Sequence, residues 1–329
     1  MIISSSDFKL AEKKIIAAQN ILLVTHNQPD GDGLSCLCAM NDWLMFLHKK
    51  ITLYCHNKPS ANFTFLPGVE KITFFDEKIG VPFADTFYLF DLILIFDCGS
   101  LSRTTLDQQL LSRKPNQFVI DFDHHPQLDQ YADLTLRDAS AAATTEIVYD
   151  FFITNGVELT KTRSICLMTG LVTDTANFFY PTASEKTVAI ASDLISHGAS
   201  LPSIHDRTFR NKTISGLKLW GLVMSRLTVN PAYNIAVSVL LEDEVKSLAV
   251  EQEELEGISG FLSNLKNVDA ILLLREDGLG NIRGSLRTSR AHVDVSRLAR
   301  ALGGGGHAKA SGFTLPGKIE LINDTWRIV

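Results

Sequence analysis

Through residue 200 of this 329-residue chain, short apolar runs alternate with longer stretches whose apolar residues recur every three or four positions. The runs 21–24, 51–55, 72–75, 92–96 and 117–120 read as strands. Helical spacing marks 34–47 (Leu34, Leu37, Cys38, Met40, Leu44, Leu47), then 141–152, 163–172 and 184–196. Ser140 is placed to cap the helix at 141–152, and His197-Gly198 to close the one at 184–196. Apolar strands separated by helices predict an α/β domain, a buried parallel sheet with helices on both faces. The stretch 202–215, polar and carrying Arg207, Arg210 and Lys212, predicts a hinge. Beyond it come strands at 234–241, 268–274 and 281–286, the last two joined through Asp277-Gly278-Leu279-Gly280. With helices at 250–265 and 293–302 they predict a second, smaller α/β domain. The expected boundaries are a first domain over 1–200, a linker over 201–228 and a second domain over 229–329.

Polar residues collect where the elements of the first domain end. The run Thr25-His26-Asn27-Gln28-Pro29-Asp30-Gly31-Asp32-Gly33 follows the first strand, and Asp97-Cys98-Gly99-Ser100 follows 92–96. Asp121-Phe122-Asp123-His124-His125-Pro126 follows 117–120, and Thr173-Asp174-Thr175 ends a helix. Ligands of parallel sheets gather at the carboxyl ends of the strands, so these stretches predict one shared site. Its candidate ligands are His26, Asp30, Asp32, Asp97, His124 and Asp174, a set of oxygens and imidazoles without Cys that suits Mn²⁺ or Mg²⁺. Six such ligands suit two divalent cations about 3.5–4 Å apart, activating a bridging water and neutralising phosphoryl charge. Asp97 is expected to bridge, with His26 and Asp30 on one ion and Asp32, His124 and Asp174 on the other. Asp123 is expected to orient a ligating histidine. His125 is left to contact a phosphate or move a proton. Singly, Asp97 and Asp174 would be helix caps and His26 a satisfied core histidine. The adjacent histidines beside a carboxylate, with the other ligands in order, favour the metal site.

Composition narrows the partners. A formal charge of −6 excludes a broad electrostatic grip on long nucleic acid and leaves room for a local basic pocket. Arg283, Ser285 and Arg287 alternate onto one face of a strand, and Gly303, Gly304, Gly305 and Gly306 precede His307 and Lys309. Guanidinium forks and glycine-run amides both suit phosphate oxygens, which predicts a phosphate pocket. The five cysteines, an odd number in apolar surroundings, predict reduced thiols and a cytoplasmic location. Cys36 and Cys38, two apart on a helix, make a poor metal pair. No apolar run reaches spanning length, so no membrane partner is expected.

With these residues in place, the chain resembles the DHH–DHHA1 phosphoesterase family over nearly its whole length. Asp123-His124-His125 is the motif that names the family, and His26-x-x-x-Asp30-x-Asp32 is its first motif. Asp97, Asp174-Thr175 and the glycine run ending at His307, with Ala310 and Gly312, match the others in order. The length is most similar to the two-domain branch acting on very short RNA and on 3′-phosphoadenosine 5′-phosphate (pAp). The resemblance implies two cations, usually Mn²⁺, on His26, Asp30, Asp32, Asp97, His124 and Asp174, with Asp97, Asp123 and His125 in catalysis. It also implies a substrate held across an interdomain cleft by Arg283, Ser285, Arg287, Gly303–Gly306 and His307. Expected partners are therefore short RNA oligonucleotides or small phosphorylated nucleotides; monomer and homodimer both fit. Two departures stand out. Pro126-Gln127-Leu128 lacks the Asn often found after the double histidine. Ala176-Asn177-Phe178-Phe179-Tyr180 lacks the Gly and Arg common after Asp174-Thr175, which implies a weaker phosphate contact and a shifted preference. Core packing accounts for those aromatics, with base stacking as the alternative. A cyclic or linear dinucleotide phosphodiesterase is the rival activity. A nucleotide-sensing module that binds without turnover is disfavoured by the complete ligand set.

Overall fold

Wholly apolar strands can lie only where both faces are covered, and the sheet that forms here has that character. In the computed structural model, which describes residues 3–210, 213–250, 252–255, 257–323 and 325–329, the chain divides into two compact units, Met1–Arg210 and Asn211–Val329. The first unit opens with α1 (Ser5–Ala17), β1 (Asn20–Thr25), α2 (Gly31–Phe46), β2 (Lys50–Cys55) and β3 (Ile72–Phe74). Then come β4 (Leu92–Phe96), α3 (Asp107–Leu111), β5 (Phe118–Asp123) and β6 (Leu134–Arg137). Four helices close it: α4 (Thr144–Asn155), α5 (Lys161–Asp174), α6 (Glu185–Ser196) and α7 (Leu201–Thr208). The sheet order is β3-β2-β1-β4-β5-β6, all parallel.

The two faces of this sheet differ. Ile21 and Leu23 point into a large core with α1, α2, α4, α5 and α6, whose centre holds Trp43, Phe122, Phe151 and Phe152. Leu22 and Val24 point the other way, where Phe83, Phe87 and Phe90 on short 3₁₀ turns, and Leu110 of α3, do the covering.

Several elements depart from the sequence pattern for local reasons. The helix α1 begins at a capping box, Ser4 with Asp7, which the apolar periodicity alone does not reveal. The strand β5 runs on through Asp121 and Asp123 because Tyr131 and Arg137 satisfy the buried Asp121 carboxylate. Ser140 does not cap α4; its hydroxyl is spent on Asp138. The N–H groups of Thr144 and Thr145 are taken instead by Asp32, 112 and 113 residues away in sequence. The stretch expected as a linker, 201–228, holds α7 in the first unit and α8 (Ile214–Ser225) in the second. Lys212, counted in the hinge, lies outside the described residues.

In the second unit, α8 leads to β7 (Thr228–Asn230), β8 (Ile235–Leu240), α9 (Glu242–Ser247) and α10 (Ile258–Leu262). The single helix expected over 250–265 is here a 3₁₀ turn and the short α10, with residues 251 and 256 outside the described ones. Next come β9 (Ala270–Glu276), β10 (Asn281–Arg287), α11 (Ser296–Ala301), β11 (Gly305–Gly306) and β12 (Ala310–Pro316). These strands form a mixed sheet of order β11-β12-β10-β9-β8-β7, and a terminal hairpin joins β13 (Ile319–Ile322) to β14 (Thr325–Ile328). Among the described residues no helix is long and apolar enough to cross a membrane, and all five cysteines are buried and unbridged.

Close approach of α2, α4 and α5 sets the geometry used below. A Cβ on Gly170 of α5 would stand 2.4 Å from Thr145 Cγ2 and 2.7 Å from Asp32 Oδ1. Glycine to alanine inside a helix ordinarily gains up to ~1 kcal/mol, whereas overpacking a fixed core costs ~1–3 kcal/mol. Gly170→Ala is therefore expected to lower stability in urea unfolding by ~1–2 kcal/mol. A variant as stable as the parent would show that this contact gives way freely.

Candidate metal centre

Chain topology decides where the side chains meet. From β1 the chain runs outward through β2 and β3, then returns to place β4 on the other side of β1. A crevice opens at the carboxyl ends of β1 and β4, where such sheets bind ligands. His26 follows β1 and Asp97 follows β4 directly, both almost fully buried. Asp97 has φ +60, a left-handed conformation unfavourable for most side-chain-bearing residues, and its N–H is anchored on the Phe122 carbonyl at 3.0 Å.

The two oxygens of Asp97 face different histidines. Oδ2 lies 3.6 Å from His26 Nε2, which is also 3.6 Å from Asp30 Oδ1. Oδ1 lies 3.5 Å from His124 Nε2, which is also 3.5 Å from Asp174 Oδ2. Donor atoms of His26, Asp30 and Asp97 fall within 4.8 Å of one another, and so do those of Asp32, His124 and Asp174. All six residues singled out in the sequence are thus brought together in two groups, with Asp97 touching both.

Each donor is held in its pose by the backbone. His26 Nδ1 bonds the Asn27 carbonyl at 2.7 Å and His124 Nδ1 the Ala141 carbonyl at 3.3 Å, which turns both Nε2 atoms inward. Asp30 is the N-cap of α2, its Oδ1 accepting from the N–H groups of Asp32 and Gly33. Asp32, two residues on in the first turn, accepts from Thr144 N at 2.6 Å and Thr145 N at 3.0 Å, so it sits at the N-terminus of a second helix as well. Thr144 Oγ1 adds a bond to Asp97 Oδ1 at 3.0 Å. Asp123 orients His125 rather than His124: its Oδ1 accepts from His125 N at 2.7 Å and bonds His125 Nδ1 at 2.8 Å.

The donor atoms fit a divalent cation. Separations of 3.5–3.6 Å are too long for hydrogen bonds. They approach the ~3.0–3.5 Å expected between ligands bound ~2.1 Å from a shared ion. His26 Nε2 is buried without a hydrogen-bond partner, which a core imidazole avoids unless an ion completes it. Charge tells the same story. Burial, reinforced by Asp97 and Asp174, pushes Asp32 well above the carboxylate range, and burial lifts Asp174 to about 6. Burial favours neutral His26, but Asp30 and Asp97 outweigh it and raise the imidazole to about 9. Burial is outweighed in the same way at His125, which Asp123 and Asp97 raise to about 10.

The second unit presents its candidates differently. Arg283, Ser285 and Arg287 do share one half-buried face of β10. Four residues apart, the two arginine Cα atoms stand ~13 Å from each other, too far for one phosphate between them without both side chains folding inward. Arg287 Nε is buried and without a hydrogen-bond partner, whereas Arg283 lines a cavity of about 140 Å³ with Glu242, Glu276 and Asp277. The glycine run is a strand edge, not an open loop. Gly305 and Gly306 pair with Gly312 and Ser311, and a Cβ on Gly304 would stand 2.1 Å from the Gly312 carbonyl oxygen. The amides of Gly303, Gly304 and His307 donate to Arg300, Ala299 and Ala310 carbonyls and are spent on the fold. Lys309 is likewise used by the carbonyls of Arg290, Ala291 and Val293.

Three features escaped the sequence reading. Thr144 and Thr145 hold Asp32 through backbone N–H groups, which carry no residue signature, and Thr144 adds its hydroxyl on Asp97. Arg137, at the end of an unpredicted strand, bonds Asp121 and contacts Asp123. Ala176, Asn177 and Phe178, directly beyond Thr175, all have left-handed φ (46, 61 and 62), held by Asn177 N on the Val172 carbonyl. Phe178 packs on the core, while Phe179 is 70% exposed, so core packing explains only part of that aromatic run.

Comparison with known proteins gives the family. Residues 20–171 match the DHH family N-terminal domain and residues 233–326 the DHHA1 domain. The chain belongs to the DHH–DHHA1 family of phosphoesterases. Within it, the chain is 26% identical to the bifunctional oligoribonuclease and PAP phosphatase NrnA of Bacillus subtilis, covering 90% of this chain and 89% of that protein. It is 29% identical to the protein of the same name from Thermus thermophilus, covering 90% and 84%. An exopolyphosphatase-related protein from Bacteroides fragilis superposes with a TM-score of 0.86 at 27% identity, over 95% of this chain and 92% of that one. The DHH–DHHA1 fold extends to RecJ of Thermus thermophilus, solved with Mn²⁺, at a TM-score of 0.53 and 14% identity over 96% of this chain and 52% of that one.

Because the neighbouring carboxylates hold His26 protonated up to about pH 9, a cation binding at Nε2 must displace that proton. Mn²⁺ binding near pH 7.5 is expected to release about one proton or more. Calorimetry in two buffers of different ionisation enthalpy measures it, with release shrinking as pH rises past about 9. Buffer-independent heats near pH 7.5 would remove His26 from the ligands.

Proposed function

We propose that this chain is a cytoplasmic, divalent-cation-dependent phosphoesterase that hydrolyses short RNA oligonucleotides and pAp. The observation that carries the reading is Asp97, one oxygen turned to each of two buried histidines whose other neighbours are carboxylates. The substrates follow from relatives named for both activities and alike over 90% of this chain.

His26, Asp30 and Asp97 would hold one cation, and Asp32, His124, Asp174 and Asp97 the other; Mn²⁺ suits these donors first and Mg²⁺ second. When bound, the pair supplies a water acidic enough to attack phosphorus near neutral pH and positive charge against the phosphoryl oxygens. The chain's own side chains do the rest. Asp123 fixes His125 through Nδ1, and the imidazole so oriented would meet a phosphoryl oxygen or return a proton to the leaving oxygen. Arg287, half-buried with Nε lacking a partner, offers its guanidinium to a substrate phosphate, with Ser285 on the same strand face and Arg283 further along the strand.

Three measurements test this reading. A time course with Mn²⁺ on pAp, a diribonucleotide, a five-nucleotide RNA, a long RNA and cyclic di-AMP should show turnover of the first three and little of the last two. Fast cleavage of cyclic di-AMP alone would replace the proposed substrate class. Asp97→Ala should cut turnover by more than about a hundredfold with the fold intact by circular dichroism. Arg287→Ala should raise KM for the diribonucleotide far more than for a simple aryl phosphodiester, and equal effects would remove it from the substrate pocket.

A further inference from the structure

Arg137 sits outside every motif described above, yet its guanidinium is 6% exposed and fully engaged. Nε and Nη2 donate to Asp121 Oδ2 at 3.2 and 2.6 Å, and Nη2 lies 3.2 Å from Asp123 Oδ2. Nη1 donates to three carbonyls, those of Gly99 and His125 at 3.2 Å and Pro126 at 3.1 Å. Gly99 belongs to the loop that carries Asp97, and His125 and Pro126 to the loop that carries the double histidine. One planar cation therefore clamps the loops after β4 and β5 to each other.

Asp123 completes the clamp. Its Oδ2 accepts from Gly99 N at 2.5 Å, while Oδ1 takes both the N–H and the Nδ1 of His125. The carboxylate that aims the His125 ring is thus itself aimed by Arg137 on one side and Gly99 on the other. Asp121 is buried with Oδ1 on Tyr131 at 3.0 Å and Oδ2 on Arg137, so it fixes the guanidinium from behind. A lysine could keep the charge but could not span a carboxylate and three carbonyls in one plane.

We infer that Arg137, backed by Asp121, is a positioning residue for His125, acting through Asp123 and the two loop carbonyls. The inference rests on the phosphoesterase reading for its kinetic consequence, but not for its structural one. A role limited to stability would move folding and leave chemistry and the His125 hydrogen bond alone.

The test uses the full chain carrying Asp121→Asn together with Arg137→Gln, which removes both charges at once and leaves no carboxylate unpaired at position 121. With Mn²⁺ and pAp, kcat is expected to fall about tenfold or more, while KM and the Mn²⁺ dissociation constant stay within about threefold. The low-field Nδ1 proton of His125, assigned by its loss in His125→Asn and recorded without cation, should shift or vanish in the double variant. A folded double variant with parental kcat and an unchanged resonance overturns the inference, and so does a loss of kcat matched by an equal loss of Mn²⁺ affinity. If the double variant does not fold, Arg137→Lys decides: lowered kcat with the resonance moved supports the role, and parental kcat overturns it. If the unsubstituted chain does not turn over pAp, the phosphoesterase reading falls, and the His125 resonance alone still decides what Arg137 does.

Discussion

Buried negative charge that the protein's own side chains do not neutralise is the constraint on which the first unit depends. Asp32, Asp97 and Asp123 are each no more than 2% exposed, and Asp174 stands beside them. Burying one unpaired carboxylate costs several kcal/mol even after relaxation. Arg137, the buried arginine of this cluster, is committed to Asp121 and Asp123. What remains is shared among histidines, which the acids force into their protonated forms, and backbone N–H groups at two helix N-termini. Protons are a poor substitute for divalent cations at the same atoms, since each carries half the charge and satisfies one donor instead of several. The site is thus pre-organised at an energetic cost that a bound cation would relieve.

Topology and packing deliver that arrangement. Parallel strands bring His26, Asp97 and the double histidine to one edge of the sheet, and the reversal of strand order beside β1 opens the crevice between them. The helices then supply what the strands cannot. The helix α2 offers its first turn to Asp30 and Asp32, α4 its N-terminus to Asp32, and α5 its last residue, Asp174. Gly31 permits this approach, since a Cβ there would stand 2.3 Å from Thr173 Oγ1. The glycine between the two first-motif carboxylates therefore answers a packing demand from α5. Asp97 and the three residues that follow Thr175 also hold left-handed backbone conformations.

The parallel sheet and the approach of the six candidate side chains to one another were legible because they depend on residue type and order. Apolar runs mark the strands of a sheet covered on both faces, and strand ends mark the ligand crevice. What the sequence hid depends on partners distant in the chain. Ser140 looked like a helix cap because its competing bond to Asp138 is invisible in a linear pattern, and Asp32 looked like a ligand only, with no sign that it caps a helix. Asp121 looked like the start of a loop because a buried carboxylate in a strand makes sense only once Arg137 and Tyr131 stand beside it. The glycine run showed its conformational freedom but not its purpose, which is backbone-to-backbone contact with β12.

The central claim is that Asp97 joins two cations into one centre. Electron paramagnetic resonance of the full chain titrated with Mn²⁺ tests it most directly, because magnetic exchange between ions requires a shared ligand. The account predicts that the signal of isolated Mn²⁺ gives way to an exchange-coupled spectrum as a second ion binds, and that Asp97→Ala loses the coupling. A single bound ion per chain, or two ions that remain uncoupled at saturation, would contradict it.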